Sequence, residues 1–182
     1  HASPEGAIDT LTAPYGNNIP LFKGDGAFGT LLKPTAYGAS RYTSVTASKF
    51  TQDVMFRDLD IVPMTNNYDD TLVEPVHFLP LIPIALLNPA EGVAVGYATN
   101  ILPRSLPDII NAQLAVLAGK KTLEDPMPNF TPLNSVAYER EEMERGVAYY
   151  FMGSVDVKDT STATITSLPY SQTHKNVISK LE

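Results

Sequence analysis

The sequence predicts an α+β fold with an antiparallel sheet, and three segments carry that prediction. Residues 105 to 119, SLPDIINAQLAVLAG, combine helix-capping residues with apolar residues at helical spacing. Residues 146 to 157 and 162 to 168 are strand-like and are separated by the polar turn KDTS, which is typical of antiparallel strands. Residues 19 to 33 place apolar residues on both sides of a glycine-rich turn, which favours a further hairpin.

Within the first 60 residues we expect a helix end, the hairpin and a second helix. Residues 5 to 12 are small and apolar enough to end a helix, and Pro14 then breaks it. The hairpin at 19 to 33 would form a wing. Apolar residues then recur at helical intervals, at Ala47, Phe50, Val54 and Leu59. Thr46 is the expected N-cap of that helix, and Pro63 ends it.

Two apolar segments follow in the second part of the chain. HFLPLIPIALLN, residues 77 to 88, carries two prolines, so an extended, buried crossing fits better than a central strand or an unbroken helix. In the helix at 105 to 119, Ser105 and Asp108 have capping-box spacing, and Gly119 is the expected C-cap. The expected buried face of that helix carries Leu106, Ile110, Leu114 and Leu117.

Length and composition limit the class of protein. The 182 residues suffice for one ordinary domain or two small ones. No apolar run approaches the roughly 20 residues of a membrane-spanning helix, and without cysteine there is neither a disulfide framework nor a thiolate metal site. The sequence starts at His1 without a signal-peptide pattern. We therefore expect part of a larger cytoplasmic protein that does not contact a membrane.

Charge is unevenly distributed along the chain. The net charge of −7 argues against a freestanding nucleic-acid-binding protein, because an excess of Lys and Arg normally neutralises phosphates. Residues 1 to 60 carry five basic and six acidic side chains, whereas residues 61 to 182 carry eight and fourteen. Between residues 20 and 57 the sign reverses. This cationic window contains Lys23, Lys33, Arg41, Lys49 and Arg57 against Asp25 and Asp53. A solvated surface of mixed charge gives the same count fairly often.

Several patterns associated with chemistry are incomplete. GDGAFG, residues 24 to 29, lacks the lysine and hydroxyl of a P-loop, which favours a turn. Asp69 and Asp70 could bind a cation, although two adjacent acids in a polar turn are more often solvated. The three histidines lie far apart in sequence, so we expect no metal site in this chain.

The segment GASRYTSVTASKF, residues 38 to 50, places Arg41 directly before Tyr42 among small and hydroxylated residues. From the residues alone, two interpretations stay open. Tyr42 is either a packing aromatic with its hydroxyl satisfied, which is the more common case, or a nucleophile. Arg41 taken alone is an ordinary surface charge.

Five motifs follow one another along nearly the whole chain: GDGAFG (24 to 29), SRYT (40 to 43), NNYDDTLVEP (66 to 75), LLNPAEGVAVGYATNILP (86 to 103) and SLPY (167 to 170). They resemble, in order, the G-x-G-x-F-G, the active-site R-Y-T, the acidic stretch, the L-x-N-G-x-x-G-I-A-V-G-x-A-T-x-I-x-P and the E-I-P-Y of one family. That family is the breakage-reunion subunit of type IIA DNA topoisomerases, gyrase A and topoisomerase IV. The chain is similar in particular to the medium subunit of T-even-like bacteriophages.

The resemblance implies roles for individual residues. Tyr42 matches the family's nucleophile, and Arg41 matches the adjacent cation that steadies the attacked phosphate. Ile101 matches the isoleucine that wedges between base pairs and bends the duplex to be cut, the gate duplex. Thr43 of the R-Y-T motif and Lys33 of the cationic window are the further expected DNA contacts.

His1, the remaining expected DNA contact, matches the first histidine of the family's H-H-G-E or H-P-H-G motif, because Asp9 and Thr10 then fall in register. The chain departs from the family where HASPEG replaces the second histidine and the glycine, and where Pro89 replaces a glycine. The departure leaves two rivals open: a non-catalytic DNA-binding or assembly module, and a structural piece of a naturally split subunit.

The resemblance also implies an organisation and a set of partners. Residues 1–60 would be the C-terminal part of a winged-helix domain with the catalytic tyrosine, and residues 61–182 part of an α/β tower domain. The chain would be a fragment of the cleavage-religation subunit of an ATP-hydrolysing type II topoisomerase, and it would not be active alone. Mg²⁺ would be held by a partner TOPRIM domain, ATP would be used by a separate ATPase domain, and the cleavage subunit would form a homodimer on double-stranded DNA in a bacterial or phage-infected cytoplasm.

Overall fold

The architecture consists of short helices and small antiparallel sheets. The computed structural model describes residues 2–121, 125–144 and 146–182. Its helices are α1 (Ala2–Thr12), α2 (Lys49–Val54), α3 (Leu106–Leu117) and α4 (His174–Leu181). Its strands are β1 (Phe22–Asp25), β2 (Ser44–Ala47), β3 (Met64–Asn66), β4 (Val73–Pro75), β5 (Ala90–Ala94), β6 (Tyr97–Ile101), β7 (Asn129–Phe130), β8 (Ser135–Met143), β9 (Gly146–Phe151), β10 (Ser154–Val157) and β11 (Ala163–Ser167).

All strand pairings among the described residues are antiparallel, which confirms the α+β fold class. β1 pairs with β2, β3 with β4, β5 with β6 and β10 with β11, whereas β7, β8 and β9 form a three-stranded sheet. The turn predicted at KDTS lies between β10 and β11, as expected. Over the same residues, no helix has the length and apolar character that a membrane crossing requires.

The hairpin predicted within residues 19 to 33 is wrong, because β1 pairs with β2 instead. The register runs from Phe22 opposite Ala47 to Asp25 opposite Ser44. The glycine-rich turn directs the chain into a long loop, residues 26–43, which is held by a bridge between Phe28 and Tyr37 and by the 2.8 Å bond from the Gly38 N–H to the Ala27 carbonyl. The segment that carries Tyr42 therefore enters β2 from that loop.

Helix α2 is anchored on the strand region before it. Its N-cap is Ser48 and not Thr46, since Thr46 lies within β2. The Ser48 hydroxyl accepts from the Thr51 N–H at 3.2 Å. The buried Thr51 hydroxyl donates to the Leu21 carbonyl at 2.6 Å, and the Ser48 N–H donates to the same carbonyl at 3.0 Å. These bonds fix β2 and α2 against the chain that leads into β1.

The first hydrophobic cluster lies between the two predicted domains. Its buried centre is Ile82, Leu87 and Ile109. The partly buried residues packed on it are Ile19, Phe50, Val54, Ile84, Leu86 and Leu106. Residues from both sides of position 60 thus share one core, and the division at that position stays a prediction. The expected buried crossing at 77 to 88 is partly wrong, because Phe78, Leu79 and Leu81 are exposed.

Helix α3 begins at the predicted N-cap, but its C-cap is Ala118 and not Gly119, and it buries a different face. Ser105 is the N-cap and accepts from the Asp108 N–H at 3.3 Å, while Gly119 has a φ of +82° just beyond the last turn. Ile109 is 1% exposed, whereas Leu117 is 76% exposed. Only the first turns of α3 contact the cluster, so the expected burial of Ile110, Leu114 and Leu117 is wrong.

A second cluster organises the C-terminal part. Phe130, Leu133 and Leu168 form its buried centre, and Tyr170 and Val177 pack against it. The rings of Phe130 and Tyr170 meet edge to face, with centroids 5.3 Å apart, a favourable aromatic geometry. This cluster ties β7, the end of β11 and α4 together.

Asparagine side chains join the early and late parts of the chain. The Asn18 amide donates to the carbonyls of Arg104 and Asn129 at 3.0 and 2.7 Å, and its oxygen accepts from the Thr131 N–H at 2.8 Å. Asn88 accepts from the Ile19 N–H at 3.0 Å and donates to the Ile19 carbonyl at 2.8 Å. Such side chains replace the backbone partners that a continuous sheet would supply.

We expect Asn88→Ala to lower the free energy of unfolding by about 2 kcal/mol, because both backbone groups of Ile19 lose their partner away from bulk water. Urea unfolding measures the change. Asn176→Ala, at an exposed position of α4, is the matched control, and its effect should stay within about 0.5 kcal/mol. Equal effects in the two variants would contradict the bridging role of Asn88.

Candidate active site

Tyr42 stands on a short turn at the entrance to β2. Residues Ser40–Tyr42 form a 3₁₀ turn, in which the Tyr42 N–H donates to the Ala39 carbonyl at 2.9 Å and the Thr43 N–H to the Ser40 carbonyl at 3.3 Å. The Tyr42 side chain is 75% exposed. The ring is therefore not a packing aromatic, and its hydroxyl is open to a macromolecular ligand.

Arg41 is stacked on that ring. Its guanidinium carbon lies 4.8 Å from the centroid of the Tyr42 ring, within the range of a cation–π contact, which contributes roughly 0.5–1 kcal/mol at exposed sites. The contact holds a permanent positive charge and a planar hydrogen-bonding fork beside the phenol.

Gly26 lies directly behind this turn. Its φ is +115°, and a Cβ there would lie 2.9 Å from Thr43 Cγ2 and 3.2 Å from the Tyr42 carbonyl oxygen. Gly24 and Asp25 of GDGAFG lie in β1, and the predicted turn begins at Gly26, which lets the backbone approach the tyrosine closely. The spacing of glycines predicts the turn, but it does not identify the neighbour.

Gly24 has a separate packing function. A Cβ at this position would lie 2.4 Å from the Phe28 ring and 2.7 Å from Thr12 Cγ2. The missing side chain allows Phe28 to be buried beneath the loop at 26–43. The base of the turn that carries Tyr42 is stabilised in this way by α1 and by the loop itself.

The turn borders a shallow cleft of about 320 Å³ that carries both signs of charge. Its lining residues are Asp25, Gly26, Arg41, Tyr42, Thr43 and Ser44. The β1–β2 register places Asp25 opposite Ser44 and so brings a carboxylate to this edge. Thr43, an expected DNA contact, is half-buried, and its hydroxyl donates to the Ser40 carbonyl at 3.3 Å. It would have to break that bond before donating to a phosphate.

One of the five cations in the cationic window is paired with an acid of the same window. Lys49 is bonded to Asp53 at 2.8 Å, one helical turn away. The remaining cations of the window are exposed: Lys23, Lys33, Arg41 and Arg57. Lys33, also an expected DNA contact, lies on the loop at 26–43, where its N–H donates to the Thr30 carbonyl at 3.0 Å.

Ile101 belongs to a different sheet from Tyr42. It is the last residue of β6, opposite Ala90 of β5, and is half-buried. It lines a second cleft, of about 690 Å³, together with Arg104 and Tyr149. The structure therefore brings Arg41, Tyr42 and Thr43 together but leaves Ile101 apart from them. His1 lies outside the described residues.

The acidic stretch near residue 70 closes a turn between β3 and β4. The Asp69 carboxylate accepts from the Thr71 N–H and hydroxyl, at 3.2 and 2.5 Å. The hydrogen bond from the Thr71 hydroxyl, followed by that from its N–H, holds the pKa of Asp69 below its ordinary value. Asp70, with a φ of +57°, accepts from the Asn66 amide at 3.1 Å. Over the described ranges, no three His, Cys, Asp or Glu side chains lie close enough to hold a metal ion.

The chain is similar to known proteins along nearly its whole length. The family model for the A subunit of DNA gyrase/topoisomerase IV matches residues 2–182. The DNA topoisomerase medium subunit of Enterobacteria phage T4 is 33% identical over 99% of this chain, and the A subunit of DNA topoisomerase 4 from Escherichia coli K12 is 28% identical over 96% of it. The chain spans 38% of the phage protein and 25% of the bacterial one.

A solved structure has the same fold. The Plasmodium falciparum topoisomerase II DNA-binding, cleavage and re-ligation domain superposes with a TM-score of 0.80 at 23% identity, covering 99% of this chain and 24% of that one. The family match covers residues 2–182, which is nearly the whole chain. The chain belongs to the family of DNA gyrase and topoisomerase IV A subunits.

Proposed function

We propose that this chain carries the DNA cleavage and religation chemistry of a type II DNA topoisomerase, with Tyr42 as the nucleophile. The observation that carries the proposal is an exposed tyrosine on a short turn, with the Arg41 guanidinium 4.8 Å from its ring centroid. The T4 and Plasmodium relatives, named for topoisomerase activity and for DNA cleavage and re-ligation, support it.

In this mechanism the Tyr42 phenolic oxygen attacks the phosphorus of a DNA phosphodiester. A phosphotyrosyl ester forms, the bond from phosphorus to one sugar oxygen breaks, and the phenolic proton is balanced by the proton taken up by the departing sugar hydroxyl. Because one phosphodiester replaces another, the reverse attack by that hydroxyl reseals the strand without external fuel. The bond is therefore transient.

Arg41 supplies the charge that this step requires. A phenol is a weak nucleophile near neutral pH unless a cation or a base favours its phenolate form. The guanidinium also offers a planar fork to the phosphate oxygens. During attack it can turn from the ring face towards the phosphate, since it is exposed. Lys33 and Thr43 would hold the neighbouring phosphates.

Ile101 would act on the DNA at a distance from the reacting phosphate. It is apolar and half-buried, and it lies at the base of the β5–β6 hairpin, opposite Ala90. The tip of that hairpin is exposed at Val93, Val95 and Tyr97. An apolar side chain inserted between base pairs unstacks them and bends the duplex. The bend would widen the contact between the gate duplex and the second part of the chain, residues 61–182.

Other parts of the enzyme would complete the reaction. A partner TOPRIM domain would hold Mg²⁺, whose positive charge would stabilise the departing oxygen. Within the described ranges, no three acidic or histidine side chains lie close enough to hold the ion in this chain. ATP would be used by a separate ATPase domain, and two cleavage subunits would pair on one duplex in the cytoplasm. This chain alone would bind DNA without cutting it.

The test is a cleavage assay with the complementary topoisomerase subunits supplied. Labelled duplex DNA is incubated with the chain and Mg²⁺, the reaction is stopped with detergent, and covalent protein–DNA adducts are separated by gel. An adduct whose labelled peptide contains Tyr42 supports the proposal. Specific binding without any adduct would favour the rival, a non-catalytic DNA-binding module.

The isolated chain should show a shallow dependence of DNA affinity on salt. Four exposed cations remain in the window. A plot of the logarithm of the DNA-binding constant against the logarithm of the salt concentration should therefore have a slope no steeper than about −4. Fluorescence anisotropy over a range of salt concentrations measures it. Lys33→Gln should reduce the slope by about 1, whereas Lys180→Gln, at the C-terminal end of α4, should leave it unchanged. Equal slopes for the two variants would remove Lys33 from the DNA interface.

A further inference from the structure

Arg104 is a buried arginine three residues after Ile101. Only 7% of it is exposed. Burying a guanidinium costs free energy unless the neighbouring groups accept its hydrogen bonds. Replacing a buried ion pair by apolar residues often stabilises a protein equally well. Stability alone therefore gives a weak reason for this residue.

The bonds of Arg104 and its neighbours fix the backbone that follows Ile101. Arg104 Nη1 donates to the Leu102 carbonyl at 2.5 Å, the Asn129 N–H to the Pro103 carbonyl at 2.8 Å, and the Asn18 amide to the Arg104 carbonyl at 3.0 Å. The Arg104 N–H donates to the Leu86 carbonyl at 2.8 Å. Three successive carbonyls are thus held by three separate parts of the chain.

The guanidinium is itself anchored on the far side. Nη2 donates to the Asp125 carboxylate at 3.2 Å and to the Tyr149 hydroxyl at 3.3 Å, and Nε donates to the Pro126 carbonyl at 3.1 Å. Its carbon also lies 5.5 Å from the centroid of the Tyr149 ring. The Tyr149 hydroxyl in turn donates to Asp125. Burial, and then this hydrogen bond, raise the pKa of Tyr149, so the hydroxyl keeps the proton it donates.

Ile101 needs such support because open space lies beside it. Ile101, Arg104 and Tyr149 line the same 690 Å³ cleft. On its N-terminal side Ile101 is held by the β5–β6 pairing opposite Ala90. The strand pairing ends at Ile101, whose side chain borders the cleft, so its direction depends on the backbone at 102–104.

We infer that Arg104 is a positioning residue that holds Ile101 in the orientation for insertion into the gate duplex, through an anchor formed by Asp125 and Tyr149. The inference rests on the proposed function of Ile101 as the wedge. Lysine cannot replace the arginine, because a single ammonium cannot reach the four acceptors that the planar fork bonds. The tyrosine hydroxyl fixes the plane of that fork.

DNA bending and cleavage together test this role. The chain, assembled with the complementary topoisomerase subunits, is given a duplex with a fluorescent donor and acceptor at its ends, so that energy transfer reports the bend. Arg104→Lys and Tyr149→Phe should reduce the bent population and lower adduct formation about ten- to a hundredfold. Tyr150→Phe is the matched control: its hydroxyl bonds Glu141 on the same sheet, at 2.5 Å, and its loss should change neither.

A second duplex separates positioning from mere stability. Two unpaired bases at the insertion step make the DNA easy to kink, so the wedge is no longer needed. This duplex should restore adduct formation in Arg104→Lys and Tyr149→Phe to within about twofold of the unmodified chain, as it should in Ile101→Ala. A purely structural defect would not respond to the DNA, and absence of rescue overturns the inference. Should Arg104→Lys fail to fold, Tyr149→Phe, at a half-buried position, decides the question alone.

The Ile101→Ala variant distinguishes the two possible failures. If it bends and cleaves intact DNA normally, the wedge function itself is wrong. If it is defective while Arg104→Lys and Tyr149→Phe behave normally, the wedge stands and only the positioning role of Arg104 fails.

Discussion

Tyr42→Phe should abolish the covalent protein–DNA adduct, with a loss of at least about 10³-fold in the assembled enzyme. The substitution removes the attacking oxygen and nothing else. The ring that Arg41 stacks on stays in place, and the aromatic face still attracts the guanidinium. DNA binding should therefore remain within about twofold, because the phosphate contacts and the wedge are unchanged.

The stability of the folded state should not depend on the Tyr42 hydroxyl. The Tyr42 side chain is 75% exposed, so removing its hydroxyl should alter the free energy of unfolding by less than about 0.5 kcal/mol. Tyr68→Phe is the matched control, since Tyr68 is a still more exposed tyrosine on the β3–β4 turn. It should form the adduct at the normal rate.

Two results would contradict the assignment of Tyr42. An adduct that persists in Tyr42→Phe would mean that another side chain attacks the phosphate. An adduct missing in the unmodified chain, although DNA is bound and the complementary subunits are present, would favour the non-catalytic module. Peptide mapping of the linked strand distinguishes the first result from a contaminating nuclease, which leaves no covalent link.

Local signals in the sequence predict local structure well. The ends of α3 follow from Ser105, Asp108 and Gly119, because capping depends on residues within one turn. The antiparallel pair β10–β11 follows from two strand-like runs that are adjacent along the chain. In both cases the partner groups lie a few residues apart.

Pairings between distant segments could not be predicted in the same way. β1 finds its partner beyond the loop at 26–43, and no periodicity within residues 19 to 33 encodes that choice. The buried face of α3 differs from the predicted one because several apolar faces of the helix are similar, and the cluster around Leu87 selects the one with Ile109. The single residue Arg104 carries no sign of burial in the sequence.

The candidate site shows the same division. Tyr42 and Arg41 are identified through motifs shared with a family, whereas composition and spacing leave them as an ordinary aromatic and a surface charge. Gly26 is recognisable as part of a turn, but its contact with the turn that carries Tyr42 exists only in three dimensions. The residues that support a candidate nucleophile are thus harder to predict than the nucleophile itself.

Gly26→Ala tests that support and should lower the rate of adduct formation about ten- to a hundredfold. At a φ of +115° an L-residue is strained, and the new Cβ would lie 2.9 Å from Thr43 Cγ2 and 3.2 Å from the Tyr42 carbonyl. The turn of residues 40–42 must then move by a few tenths of an ångström or more. Attack on phosphorus requires the phenolic oxygen to lie in line with the departing sugar oxygen. A small tilt of the ring therefore lowers the rate of cleavage strongly.

Gly119→Ala separates positioning from backbone strain. Gly119 has a φ of +82°, but a Cβ there meets no atom within 4 Å, so the substitution adds strain without displacing a neighbour. Both variants should lose about 1 kcal/mol or more of unfolding free energy, and only Gly26→Ala should lose cleavage at a temperature where both are folded. If the two lose cleavage equally, stability explains the effect and the turn does not depend on Gly26. If only Gly26→Ala cleaves slowly while its DNA affinity is unchanged, the glycine acts by orienting Tyr42. DNA binding depends on the exposed surface of the protein, whereas attack on phosphorus depends on the angle of the phenolic oxygen.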